Sequence, residues 1–304
     1  VDINVKASQN SEASARFTEK ISQNLRNVIS SQEIDVSPDL TVANVIRRVS
    51  GVSIERNSNG DGQHAIVRGM DKRYNYTLVN GIKIPSPDNK NRYVPLDIFP
   101  SDLLDRLEVT KALTPNMEGD AIGGVIDMKL KDAPNRFLLN ANVGTGYSQL
   151  FIDRPYRAFD YSDVSRKAPN TINGPDYRAT EADFPMSNLV FEDKTAPLNQ
   201  LFGLAMGNRF LGGKLGGILA ISYQNTYRGA NSMFMSTFVN PETNTPYYEI
   251  LELREFSAQQ ERSGIHTKWD YRINRNHKIS LYGAYIGLVD RQTRNRVDTI
   301  IKIG

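Results

Sequence analysis

The sequence predicts an α+β domain followed by antiparallel strands of a transmembrane β-barrel that is incomplete in this chain. Three observations predict it. Residues 1–134 combine one helical period with short apolar runs; residues 135–304 change to apolar–polar alternation; and the connections between the alternating segments take turns at being long and short.

In the first region, Ser37-Pro38-Asp39-Leu40 has the order that opens a helix, because Ser accepts an orphan N–H and Pro has none to leave unpaired. Leu40, Ala43, Ile46 and Val49 recur at helical spacing beside Val42 and Val45, and Gly51 stands where the helix should stop, able to take a positive φ. Apolar runs follow at Val52 to Ile54, Ala65 to Val67, Tyr76 to Val79, Leu107 to Val109 and Val125 to Leu130. Clusters of Gly, Asn and Pro separate them, as between strands. Asn80-Gly81 is a natural two-residue hairpin turn.

From Asn135 the grammar changes. Phe137, Leu139, Ala141, Val143 and Tyr147 alternate with Asn140, Asn142, Gly144, Gly146 and Ser148, so one face is apolar and the other polar. A second strand, Leu198 to Arg209, places Phe202, Leu204 and Met206 on one side. After the tight turn Leu211-Gly212-Gly213-Lys214, a third strand puts Leu215, Leu219, Ile221 and Tyr223 on a common face. A fourth runs from about Ile250 to Tyr271 and a fifth from Lys278 to Arg291, joined by the polar turn Asn274 to His277, and a sixth is expected from Val297. The connection Leu150 to Pro197 reads as a long loop. Long connections on one side and tight turns on the other are the signature of outer-membrane barrels, and a fourth strand this long exceeds the ~9–11 residues that cross a bilayer at a tilt. Five or six strands cannot close such a pore, so the sequence is expected to be part of a longer chain.

Composition agrees. Hydrophobic residues make up 39% and the mean hydropathy is −0.46. No window approaches a membrane helix, yet a barrel hides its lipid face in every second residue. A net charge of +3, with acids interleaved among the bases, gives no footprint for nucleic acid. The absence of cysteine excludes a disulfide framework and a thiol or Cys-ligated metal site. The opening Val-Asp-Ile-Asn carries no basic or apolar leader pattern, so a signal peptide is expected to have been removed already.

Three stretches resemble the plug domain of TonB-dependent outer-membrane receptors. These are Val45 to Ile54; Ile66-Val67-Arg68-Gly69 with Tyr76 to Ile82; and Leu107-Glu108-Val109-Thr110-Lys111 through Ala121-Ile122-Gly123-Gly124-Val125-Ile126-Asp127-Met128, the most specific of the three. The resemblance implies a plug over residues 1–134 and, over 135–304, the first strands of a 22-stranded barrel in the cell outer membrane. It implies active uptake of a small-molecule, glycan or metal-chelate ligand, with TonB and its inner-membrane complex as the energising partner and outer-membrane lipid around the wall. An alternative is a plugged-barrel subunit that binds an outer-membrane partner protein and transports nothing. No convincing TonB box is found; Val1 to Val5 reads better as a strand start.

By the same resemblance, the loops Arg56 to Gly62, Asp71 to Tyr74 and Ser86 to Tyr93 face the cell exterior. Arg56, Asn57, Asp71, Arg73, Tyr74, Asn89, Arg92 and Tyr93 are the ligand-binding candidates, Tyr74 and Tyr93 foremost as exposed aromatics on a rigid support. Arg68, Arg106 and Glu108 lie in or beside apolar strands, where a charge needs a partner. The resemblance implies that these three, with Gly123 and Gly124, which suit close backbone approach or positive φ, are the candidates for contact between plug and barrel. His64, His266 and His277 fall in different elements, so no metal site, cofactor or catalytic group is expected, and the chain does not read as an enzyme. Asn57 to Gly62 lacks the spacing of a calcium loop and reads as a turn.

Overall fold

The computed structural model describes residues 12–36, 41–56, 60, 62–87, 91–115, 117–162, 164–165, 167–184 and 186–300. Val1 to Val5, Ser37-Pro38, Asn57 and Asn89 lie outside them. The N-terminal domain runs α1 (Glu12–Ile21), β1 (Arg26–Ser30), α2 (Ser31–Asp35), α3 (Val42–Val45), β2 (Val52–Arg56), β3 (Gly62–Val67), β4 (Asn75–Val79), β5 (Ile82–Lys83), β6 (Leu104–Thr110) and β7 (Gly124–Leu130). Five of its strands form one sheet in the order β1-β6-β7-β4-β5, while β2 and β3 pair separately. All five expected apolar runs are strands. The sheet is mixed, because β4 runs parallel to β7 whereas β6 runs antiparallel to both β1 and β7.

The described helix is shorter than its apolar period. Thr41 is held extended by a bridge to Pro100, and the Phe99 carbonyl accepts the Val42 N–H at 3.0 Å, so helical geometry begins only after that tether. It tightens to a 3-10 turn at Ile46–Arg48, and Gly51 then takes φ +69°. Val42, Ala43, Val45 and Ile46 are fully buried, packed in one core with Val67, Leu107, Val109 and Met128. At the β4–β5 hairpin Asn80 and Gly81 have φ +52° and +83°, the pair of positive values that a type I′ turn needs to match strand twist.

After this domain come β8 (Leu138–Gly146), α4 (Leu150–Asp153), β9 (Tyr156–Phe159), α5 (Pro169–Asn173), β10 (Phe191–Lys194), β11 (Asn199–Phe210), β12 (Leu215–Val239), β13 (Pro246–Arg272) and β14 (Lys278–Ile300). A second five-stranded sheet has the order β14-β13-β12-β11-β8. Three expectations are corrected here. The third and fourth strands are 25 and 27 residues long, which leaves only 240–245 between them. The separate strand expected from Val297 is the continuation of β14, which does not break at Arg291. The segment from Leu150 to Pro197 is not a structureless loop, since β9 and β10 pair within it and Phe151, Tyr156 and Ala196 form a small core. Polar residues misled in each case, because strand pairing beyond a membrane places no demand for an apolar face.

The chain divides into two compact units, residues 1–144, 201–224 and 261–288 in one and 145–200, 225–260 and 289–304 in the other. In the first unit the N-terminal domain packs on one face of the strands, where Ala205, Ile218, Ala220, Tyr282 and Ile286 join its core. Phe202, Phe210, Ile265, Trp269, Tyr271, Ile279, Leu281 and Tyr285 are all exposed. The last six occupy odd-numbered positions of β13 and β14, whereas inward His266, Lys268, Asp270 and Tyr282 are even, which makes an apolar outer band with interfacial aromatics of the kind that faces lipid. In the second unit the strand segments carry polar side chains at corresponding positions, among them Glu255, Ser257 and Gln259. Arg154 and Arg157 tie the connecting segment to them through Ser257 Oγ at 3.0 Å and through Glu255.

Candidate functional site

The three candidate loops are joined by a chain of contacts among β2, β3 and the segments that follow β3 and β5. Lys72 donates to Glu55 at 2.6 Å, and its Nζ also lies 4.9 Å from the centre of the Tyr93 ring. Tyr93 in turn meets His64 edge-on, with ring centres 4.8 Å apart. The hydrogen bond to Glu55 raises the Lys72 pKa, so the ammonium is charged throughout the physiological range. Tyr93 is half-buried by these neighbours and not the exposed aromatic expected; Tyr74, 37% exposed, is. Asp71 caps the short turn Lys72–Tyr74, accepting the Arg73 backbone N–H and the Arg73 Nε, both at 3.0 Å. Those bonds hold the Asp71 carboxyl below its ordinary value. Arg73 leans toward Tyr74, its guanidinium 5.7 Å from the ring centre. Arg56 donates to the Gly60 carbonyl at 2.5 Å, and Arg92 is exposed. Glu55, His64 and Lys72 are not among the candidates read from the sequence, because they carry no periodic signal: Glu55 and His64 pair across β2 and β3, and Lys72 and Tyr93 reach them from later segments of the chain.

Arg68 sits at φ +56° and donates to the Lys111 carbonyl at 2.5 Å. Glu108, 5% exposed, is clasped by Arg106 Nε at 2.6 Å and Arg26 Nη1 at 3.1 Å. The described partners of Arg68, Arg106 and Glu108 thus lie within the N-terminal domain itself. Gly123 and Gly124 serve close approach: a Cβ on Gly123 would lie 2.3 Å from Asn75 Oδ1, and one on Gly124 would lie 3.0 Å from the Thr110 carbonyl.

Between the N-terminal domain and the strand wall of the same unit, other residues form the ion pairs and hydrogen bonds. Asp97 accepts from Arg262 at 2.6 Å with both side chains buried, and Asp102 accepts from Asn142 at 2.8 Å. Asp132 binds Lys268 at 2.8 Å and Lys278 at 2.9 Å. Burial pushes the Asp132 carboxyl up, but the two lysine hydrogen bonds and charges outweigh it and hold it at about 2, against an ordinary 3.8. A carboxyl depressed in this way contributes stability that is complete above its unfolded value and is lost as pH falls through its folded one. The Asp132 contacts are therefore expected to hold down to about pH 4 and to loosen between about pH 4 and 2. Limited proteolysis near Asp132 across that range checks this; loosening that begins above pH 6 would contradict it. Among the described residues no group of three or more metal-ligating side chains occurs, and no helix is long and apolar enough to cross a membrane.

Comparison with known proteins places these features. Residues 20–125 match the family described as the TonB-dependent receptor plug domain. The vitamin B12 transporter BtuB of Vibrio vulnificus is 23% identical over 273 residues, which is 86% of this chain and 41% of that protein. BtuB of Vibrio cholerae serotype O1 is 31% identical over 145 residues, 45% of this chain and 23% of the relative. The chain thus spans less than half the length of these curated relatives. Among solved structures, the ferric citrate transporter FecA in its unliganded form covers 95% of this chain and 42% of its own, at 14% identity and a TM-score of 0.48. The siderophore receptor PirA of Acinetobacter baumannii covers 92% and 45%, at 13% identity and a TM-score of 0.46.

Proposed function

Because the chain belongs to the TonB-dependent receptors of the outer membrane, carrying their plug domain ahead of antiparallel barrel strands, we propose that the whole protein takes up a ligand actively, with the plug occluding the lumen until TonB energises it. The observation that carries this reading is the plug match over residues 20–125 joined to an apolar outer band on the strands that follow. The ligand binds at the exterior loops around Arg56, Asp71, Arg73, Tyr74, Arg92 and Tyr93, together with Asn57 and Asn89. Transport requires no covalent chemistry from these residues: guanidinium and phenol groups supply hydrogen bonds and a stacking face, and the Glu55–Lys72–Tyr93–His64 contacts hold the loops in place. The names of the relatives suggest cobalamin, ferric citrate and ferric siderophores as probes.

Uptake of each probe in cells with and without TonB tests the reading. Accumulation of one of them that requires both this receptor and TonB is expected, and accumulation unaffected by loss of TonB would sink it. For the probe that binds, Tyr74→Ala in the full-length receptor is expected to weaken affinity about tenfold or more, as for an aromatic anchor. Equilibrium binding checks this, and unchanged affinity would remove Tyr74 from the site. Tyr93→Ala is expected to lower both affinity and stability, since Tyr93 also packs against His64 and Lys72.

A further inference from the structure

In the second unit the connecting segment occupies one face of the strands. Arg154 donates to Asn231 Oδ1 and Ser257 Oγ, both at 3.0 Å, and Arg157 bonds Glu255, so the segment lies on odd-numbered side chains of β12 and β13. Gly229, also odd-numbered, leaves room for it: a Cβ there would stand 2.9 Å from both Arg154 Nη2 and Leu150 Cδ2. Even-numbered side chains leave the strands on the opposite face. On β13 this is the parity of His266 and Lys268, which turn inward.

The even-numbered face carries guanidinium groups laid on phenyl rings. The Arg254 guanidinium lies 4.4 Å from the centre of the Phe234 ring, and that of Arg294 lies 4.7 Å from the centre of Phe256. Each of these pairs joins neighbouring strands, β12 to β13 and β13 to β14. Glu252 accepts from Arg254 Nε at 2.7 Å and lies 3.7 Å from Arg296, which also binds Asp298 at 2.9 Å. Arg254, Arg294 and Arg296 are thus set against the carboxylates of Glu252 and Asp298 alone. Arg228 and Asp290, even-numbered on β12 and β14, add a charge of each sign and leave that surplus unchanged. Arg294 carries it: the side chain is exposed, and among the described residues no carboxylate binds it.

A phenyl ring beneath a guanidinium takes up its flat face and fixes its plane, while the N–H donors point outward within that plane. A fork held in this way matches two coplanar oxygens of one negative group, as in a carboxylate or a catecholate. A ligand without charge would leave the surplus unanswered.

We propose that the even-numbered face of β12, β13 and β14 around Arg254, Arg294 and Arg296 is an anion-binding surface, and that the ligand taken up is an anion with paired oxygens, a carboxylate or catecholate chelate. That this anion is the transported ligand rests on the function proposed above; that the surface binds an anion does not.

Equilibrium binding to the full-length receptor in detergent micelles, with TonB absent, tests the proposal. Ferric citrate and a ferric catecholate siderophore are the anionic probes, and cobalamin, which has no net charge, is measured beside them. An anionic probe is expected to bind, and to bind about threefold or more weakly when salt is raised from about 0.05 to about 0.5 M. Arg294→Gln is expected to weaken that binding about tenfold or more, as for the loss of charge-assisted hydrogen bonds. Arg294→Lys, which keeps the charge and loses the fork, is expected to recover only part of it. Arg291→Gln makes the same change of charge on the odd-numbered face, where Arg291 lies 3.9 Å from the centre of the Tyr161 ring, and is expected to stay within about twofold. Failure of both anionic probes to bind, or equal affinity in Arg294→Gln, overturns the proposal. Equal losses at Arg291 and Arg294 overturn it as well, since they would report net charge and not a site. TonB-dependent uptake of cobalamin that is indifferent to Arg294→Gln would keep the proposed function and lose the anion, whereas anion binding by a receptor whose uptake is independent of TonB would do the reverse.

Discussion

Asp270→Ala is expected to destabilise the folded receptor by about 3–5 kcal/mol, the cost of leaving a buried charge without its partner. Arg209 and Asp270 are joined by two parallel hydrogen bonds of 2.9 and 3.1 Å, and their side chains are 2% and 1% exposed. Among the described residues, removing the carboxylate leaves the guanidinium with carbonyl acceptors alone, those of Ala133 at 3.0 Å and Gly213 at 3.4 Å. Neither carries a full charge. Exchanging both residues at once, Arg209→Met with Asp270→Leu, is expected to cost far less, because desolvating two ions offsets much of what their attraction returns. Guanidinium unfolding of the full-length receptor in micelles measures both. If the double variant is as unstable as the single one, the pair itself is not what makes Asp270→Ala costly.

Gly123→Ala is the second large effect, expected at about 1–3 kcal/mol from overpacking. The new methyl would meet Asn75 Oδ1 at 2.3 Å, Met70 Cβ at 3.0 Å and the Tyr74 carbonyl at 3.1 Å. Asn75 has little freedom to retreat, since its Nδ2 donates to the Ala65 carbonyl at 2.9 Å and the Met70 carbonyl at 3.3 Å. The Tyr74 carbonyl also accepts the Gly123 N–H at 3.0 Å, so displacement here moves the turn that presents Tyr74. Loss of stability should therefore come with loss of ligand affinity. Gly119→Ala is the control: nothing stands within 4 Å of its Cβ, and a change within about 0.5 kcal/mol is expected. Equal effects at the two glycines, in the same unfolding experiment, would refute the packing argument.

The type I′ turn at Asn80-Gly81 was legible because both residues are among the few that tolerate positive φ, and the structure places them at +52° and +83°. The central strands β4, β6 and β7 of the first sheet and the strands of the second were legible from apolar runs and alternation, a local property repeated over many residues, whereas β1 (Arg26–Ser30) is too short and too polar to show either. Their ends were not: β12, β13 and β14 continue through polar stretches where alternation fades but backbone pairing persists. At the candidate site the loops can be named, yet Tyr93 reads as exposed because nothing local shows that His64 and Lys72 cover it.

By itself the sequence determined that plug-like motifs precede alternating strands, and that the charged residues Arg68, Arg106 and Glu108 need partners. Only the tertiary structure decided who those partners are. Arg262 reaches Asp97 across 165 residues of chain, and Lys268 reaches Asp132 across 136. Burial leaves a periodic trace because every turn or pleat must satisfy it. An ion pair is formed once, between two side chains brought together by the fold, and no repeating pattern records it.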